Sequence, residues 1–176
     1  FSVFQSLPDS WAVDQLFPIV PLHRLDQEPT REAILADLTC DSDGKVDMFI
    51  DLRDVKPTLR LHPTNGQPYF LGAFLVGAYQ ETLGDLHNLF GDTHVVHIRL
   101  DEEHGWWIEE IVKGDTASTV LGYMQYDTDE LYPRFARDCE RAMRDGRLSV
   151  AEGQALKRFY ESELAGYTYL EPDGAS

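Results

Sequence analysis

Through the first 125 positions the apolar residues come in short runs broken by proline, glycine and charged residues, and from Asp127 they recur every three or four residues. The change of pattern predicts a mainly β body over residues 1–125, a helical extension over 126–170 and a tail over 171–176. In the body, Phe1, Val3 and Phe4 predict a short strand leading into a helical turn over 9–16, which Pro18 and Pro21 stop. Strands are predicted over 20–25, 33–38, 46–50, 55–61 and 69–76, the last so dense in aromatic and aliphatic residues that it reads as well buried. Pro63-Thr64-Asn65-Gly66 signals a turn. Tyr79, Leu83, Leu86 and Phe90 would share one face of a helix ended by Gly91, and residues 94–100, 105–112 and 117–124 read as strands again.

In the extension, Leu131, Phe135, Cys139 and Met143 lie four apart, and Asp127 with Glu130 three residues on has the form of a helix cap. Ser149 with Glu152 repeats the signal ahead of Leu156, Phe159, Tyr160 and Leu164, the apolar stripe of a second helix. Arg144-Asp145-Gly146 supplies a short turn, so an antiparallel helical hairpin packed on the β body is expected.

Composition narrows the function classes. The 176 residues suffice for one ordinary domain with a small appendage, and 43% apolar content argues against wholesale disorder. Fifteen Lys and Arg stand against thirty-one Asp and Glu, and the net charge of -16 would repel a phosphate backbone while attracting a cationic small molecule. No nucleic acid is therefore expected as partner, and no membrane either, since no apolar run approaches the roughly 18 residues that a spanning helix needs. Two cysteines, Cys40 and Cys139, cannot build a disulfide scaffold, so a reduced, cytoplasmic location is the expectation. Phe1 in place of an initiator Met, with no leader-like start, reads as a fragment or processed piece.

The run Thr39-Cys40-Asp41-Ser42-Asp43-Gly44 sets a thiol beside carboxylates at the mouth of a predicted strand, with Gly44 free to take a positive φ at a sharp turn. Cys40 is either a small buried hydrophobe or a proton donor, because the like charges of Asp41 and Asp43 keep the proton on sulfur and disfavour a nucleophile. Asp41 and Asp43 form either a solvated turn or a cation site, for which a guanidinium is well suited by its paired charge-assisted bonds. A calcium loop is disfavoured, since Arg53 stands near the place where a ligating Glu is needed. Tyr79, after Gly77 and Ala78 at a strand-to-helix junction, either packs in the core or meets an anion with free backbone N–H groups. His87, His94, His97 and His104 match no metal-binding spacing, and His94 and His97 would point to opposite faces of a strand. Of the adjacent Trp106 and Trp107, one is expected in the core and the other toward a partner.

Beyond these local readings, the sequence resembles the C-terminal part of the biosynthetic arginine decarboxylases, pyridoxal-phosphate enzymes of the alanine racemase and ornithine decarboxylase fold type (fold type III). Residues 4–9 and 15–19, the run Thr39 to Gly44, residues 69–80 and 84–92, and the ending Gly166-Tyr167-Thr168-Tyr169-Leu170 carry the resemblance. It implies a C-terminal β-barrel domain, incomplete without an upstream (β/α)8-barrel segment, followed by a helical extension. It further implies Cys40 as the donor that protonates the substrate α-carbon across a subunit interface, Asp41 as anchor of the substrate's far cationic group, and Tyr79 against the phosphate of pyridoxal 5'-phosphate. Asp43 would supplement the charge or order the loop. The implied assembly is a homo-oligomer, at least a dimer, and magnesium enters by resemblance alone. No Schiff-base lysine or glycine-rich phosphate loop is recognisable here, so this piece alone is expected to be inactive. A related decarboxylase of ornithine or lysine, and a non-catalytic binding or regulatory domain of the same fold, are the alternatives.

Overall fold

In the computed structural model, residues 2–40 and 44–169 are described. The chain resolves into two compact units, Phe1–Asn88 and Leu89–Ser176.

The first unit begins with α1 (Val3–Ser6), where the sequence predicts a short strand, and α2 (Pro8–Val13), which falls on the helical turn predicted over 9–16. Two local features override the apolar run. The Ser2 hydroxyl accepts from the Gln5 N–H, and Pro8, whose φ is already helical, opens the second turn. Among the described residues eight short strands follow: β1 (Ile19–Pro21), β2 (Arg31–Ala33), β3 (Leu35–Ala36), β4 (Lys45–Val46), β5 (Phe49–Ile50), β6 (Val55–Lys56), β7 (Leu59–Leu61) and β8 (Leu71–Ala73). They pair antiparallel as β1–β8, β2–β7, β3–β4 and β5–β6, each a two-stranded sheet. Val3 of α1, Leu7 and Phe17 join the strand residues Ile19, Val46, Phe49 and Leu59 in one core. His62 is buried beside it, its imidazole satisfied by the Tyr69 hydroxyl at 2.7 Å and the Gln27 carbonyl at 3.0 Å.

Around β8 the expectation of a buried strand fails. Phe70, Phe74 and Leu75 are exposed, because only three residues of the run find a partner strand. α3 (Ala78–Leu83) is also shorter than the sequence predicts. Gly84 leaves the helical conformation where the Gln5 carbonyl would overlap any side chain.

The second unit contains the hairpin of β9 (Val95–Asp101) and β10 (Gly105–Val112), with a bulge at Glu109 that lets its carboxylate reach Arg99 at 2.8 Å. Trp106 and Trp107 are both exposed, so neither serves as core within this chain. The segment expected as a last strand is instead α4 (Ala117–Tyr123). Thr116 and Thr119 form a reciprocal capping box that satisfies N–H groups at the helix start, and Val120 is buried on its inner face.

α5 (Thr128–Arg144) and α6 (Val150–Ala165) coincide with the predicted hairpin and its caps at Asp127 and Ser149. Phe135 stacks on Tyr160 at 4.3 Å and Cys139 is buried. The contact face of α6 is rotated from the predicted stripe: Gly153 is buried against Met143, while Phe159 is 62% exposed. A residue without a side chain allows the close approach, and the crossing point then decides which neighbours turn inward. The architecture is thus mixed helix and sheet. Among the described residues no closed barrel forms and mainly β does not describe it.

Candidate functional site

The loop carrying Cys40 is gripped at its neck. The Asp37 N–H donates to the Gly44 carbonyl at 2.8 Å, and Asp37 Oδ1 accepts the Val3 N–H at 2.7 Å, tying the loop to the start of α1. Asp37 is buried, and its second oxygen, Oδ2, has no hydrogen-bond partner among the described residues. Burial therefore pushes the Asp37 carboxyl above its ordinary value, against the opposing effect of the Val3 N–H. Gly44 is needed here for space. It does not adopt the positive φ that its place in the loop suggested; a Cβ at this position would overlap the Asp37 carboxylate.

Beyond the neck, Cys40 is exposed, which removes the buried-hydrophobe reading. Its Sγ lies 3.2 Å from Asn88 Oδ1, with the thiol as donor. The Asn88 amide nitrogen is 3.3 Å from His87 Nε2, and His87 Nδ1 is 2.9 Å from the hydroxyl of the fully buried Ser2. The Phe4 ring packs on the His87 ring at 4.7 Å. Asp41 and Asp43 lie outside the described residues.

Tyr79 is in the first turn of α3 and is 76% exposed, so it does not pack in the core. Its outward direction is set by the next residue. Gln80 is 4% exposed and grips Asp9, accepting the Asp9 N–H at 3.1 Å and donating to the Asp9 carboxylate. With Gln80 fixed inward, the rotation of α3 turns Tyr79 to the surface. Gly77 caps the helix without a side-chain hydrogen bond, and the space where it lacks a Cβ is open. Cys40 and Tyr79 are not joined by any hydrogen bond or ring contact, and both face outward.

Sequence reasoning passed over Asp37, Gln80 and Asn88, and weighed His87 only as a metal ligand, which its spacing disfavours. A signal existed in their types, since Asp and Asn beside turns and a Gln one residue from an apolar stripe are hydrogen-bonding groups in need of partners. Which partners they find is a long-range matter. Of the other three histidines considered as metal ligands, His104 pairs with Asp101 at 3.2 Å in the turn, His97 with Glu110 at 3.3 Å across the hairpin, and His94 stacks on the distant Tyr167 at 4.0 Å. Among the described residues no group of three or more His, Cys, Asp or Glu side chains could hold a metal ion. None of their helices is long and apolar enough to cross a membrane.

Residues 117–170 match the family described as the arginine decarboxylase C-terminal helical extension. The whole chain is similar to biosynthetic arginine decarboxylase 1 of Synechocystis, with 59% identity over 97% of this chain and 26% of the relative. The biosynthetic arginine decarboxylase of Nostoc is 60% identical over 96% of this chain and 25% of its own length. The chain is thus similar to the biosynthetic arginine decarboxylases over nearly its whole length. A crystal structure of the biosynthetic arginine decarboxylase SpeA from Campylobacter jejuni matches it with a TM-score of 0.83 and 34% identity, covering 100% of this chain and 29% of the other. The chain spans about a quarter of the length of the curated relatives it matches and corresponds to their C-terminal part.

Proposed function

We propose that the protein carrying this segment converts L-arginine to agmatine and carbon dioxide with pyridoxal 5'-phosphate, for polyamine synthesis, and that this segment supplies the proton donor, a substrate anchor and a phosphate contact. The observation that carries the reading is 59% identity over nearly the whole chain to a biosynthetic arginine decarboxylase, in a stretch that includes the Cys40 loop and the Gly77-Ala78-Tyr79 turn.

Tyr79 fits a phosphate contact: its phenol is exposed at a helix start whose Gly77 side is open. Pyridoxal phosphate would supply an electron sink for the pair left when the carboxylate departs. The role of Cys40 is then to choose where the proton goes. The bond between α-carbon and carboxylate breaks, carbon dioxide leaves, the Cys40 proton moves to the α-carbon, and the exposed sulfur recovers a proton from solvent. Asp41 anchors the guanidinium at a distance from the reacting carbon, so that binding energy remote from the chemistry positions the α-carbon. Asp43 adds charge to the same loop.

The reading includes a homo-oligomer whose partner subunit receives Cys40, an upstream (β/α)8 segment, a cytoplasmic location, and magnesium as a family trait with no assigned ligand. The strands within residues 1–125 would complete a barrel only together with that upstream segment. The match of residues 117–170 to a helical extension supports a separate helical part at the end.

The test is the full-length protein assayed with arginine, ornithine and lysine. Arginine is expected to give the highest kcat/KM, and Asp41→Asn to lower it by about 30-fold or more through lost charge-assisted bonding. A higher kcat/KM on ornithine or lysine, or no carbon dioxide from any of the three, overturns the reading.

A further inference from the structure

Cys40 is exposed on a loop, and an exposed thiol has freedom to rotate its hydrogen away from any acceptor. Here the direction is set. Asn88 Oδ1 lies 3.2 Å from Sγ and can only accept, so the hydrogen bond requires the proton to be on sulfur. The other end of the same amide is held at 3.3 Å from His87 Nε2. An amide nitrogen only donates, so this contact requires Nε2 to be an acceptor, which places the imidazole hydrogen on Nδ1, facing the Ser2 hydroxyl at 2.9 Å. Ser2 is itself completely buried and engaged by the Gln5 N–H. In this orientation the Cys40 thiol donates to Asn88 Oδ1, the Asn88 amide donates to His87 Nε2, and His87 Nδ1 donates to the Ser2 hydroxyl.

The backbone supports the same arrangement. Asn88 and Leu89 are consecutive residues with φ of 53° and 66°. Asparagine tolerates that left-handed region, whereas a leucine there is uncommon and costs conformational energy. The turn aims the Asn88 amide at a residue 48 positions earlier in the chain.

We propose that Asn88 is a positioning residue for the Cys40 thiol: its amide oxygen, oriented by His87, accepts the S–H and fixes the direction in which it points. This rests on the reading of Cys40 as proton donor but makes a claim about the thiol that can be tested apart from turnover. Asn88 itself transfers no proton.

The experiment is the pH dependence of Cys40 alkylation by iodoacetamide in the full-length holoenzyme, followed peptide by peptide in mass spectrometry. Asn88→Gly removes the amide without strain at a positive φ, and Asn88→Asp replaces the acceptor with a stronger, charged one in the same backbone conformation. Asn88→Gly is expected to raise the alkylation rate at neutral pH about fivefold, because the S–H loses the acceptor that holds it. Asn88→Asp is expected to lower the rate below that of the unmodified protein. Opposite signs separate hydrogen-bond positioning from simple loosening of the loop, which would accelerate both variants. Equal profiles for all three proteins, or acceleration in both variants, overturn the proposal.

A second readout is the partition of arginine turnover between amine product and cofactor-derived side product. Asn88→Gly should shift it toward the side product and Asn88→Asp should not; a shift in Asn88→Asp alone overturns the proposal. If Cys40→Ala leaves that partition unchanged, the donor reading fails, while the alkylation profiles still decide whether Asn88 positions the thiol.

Discussion

Asp37 and Gly44 meet across the neck of the Cys40 loop so closely that the carboxylate fills the space a side chain at position 44 would need. Their backbones are joined by the Asp37 N–H to Gly44 carbonyl bond of 2.8 Å, and the same aspartate holds the Val3 N–H. The loop is therefore anchored at its base.

Gly44→Ala should thus destabilise the protein. The Asp37 carboxylate cannot swing aside without giving up its bond to Val3, so relief of the overlap requires backbone movement and a cost of about 1–3 kcal/mol. Urea unfolding of the variant against the unmodified protein measures it, and the Cys40 alkylation profile should change in parallel.

Asp37→Asn tests the buried charge. Because burial raises the folded-state pKa of Asp37 above its ordinary value of 3.8, the folded state binds this proton more tightly than the unfolded chain does. The resulting stabilisation is present below the unfolded value and is lost as pH rises through the folded one. Asparagine keeps an acceptor for Val3 and carries no charge. Its stability relative to the unmodified protein is therefore expected to improve from about pH 4 to about pH 7, as read from urea midpoints at the two values. A difference independent of pH would contradict the assignment.

At the crossing of α5 and α6, two effects of Gly153→Ala compete. Helix propensity favours alanine by about 1 kcal/mol, whereas the new methyl group overlaps Met143 at Sδ and Cγ, too far up the side chain for a tip rotation to relieve. Net destabilisation is expected. Combining it with Met143→Ala should recover stability relative to Met143→Ala alone, a sign reversal visible in a double-mutant cycle of thermal unfolding.

Thr116→Ala removes the N-cap of α4. The expected cost is about 1 kcal/mol, with a loss of helical circular dichroism confined to the few residues of this short helix. Ser118→Ala, which gives up a side-chain bond to the Leu164 carbonyl and leaves the cap intact, is the control for helix content.

The sequence was most legible where structure is local. The boundaries of α5 and α6 follow from Asp127, Ser149 and Glu152, because a cap is a bond between residues two or three apart. The hairpin of β9 and β10 was likewise visible in its strand-forming residues and the charged turn between them. Reading failed at Val3–Ser6 and Ala117–Tyr123, where apolar and β-branched residues suggested strands but Ser2 and Thr116 capped helices. There a few hydrogen bonds at the helix start outweighed weak strand propensity.

What the sequence by itself determined is the set of chemical groups and the resemblance they carry: a thiol at position 40, a phenol at position 79, an acidic chain that favours cationic ligands, and matches long enough to identify the enzymes it resembles. Tertiary structure decided orientation. Tyr79 faces outward because Gln80 holds Asp9 from 71 residues away, Gly44 is glycine because of where Asp37 lies, and the Cys40 thiol points at Asn88. Hydrogen bonds and steric exclusion act over a few ångströms between residues far apart in the chain, so their partners exist only once folding has brought them together.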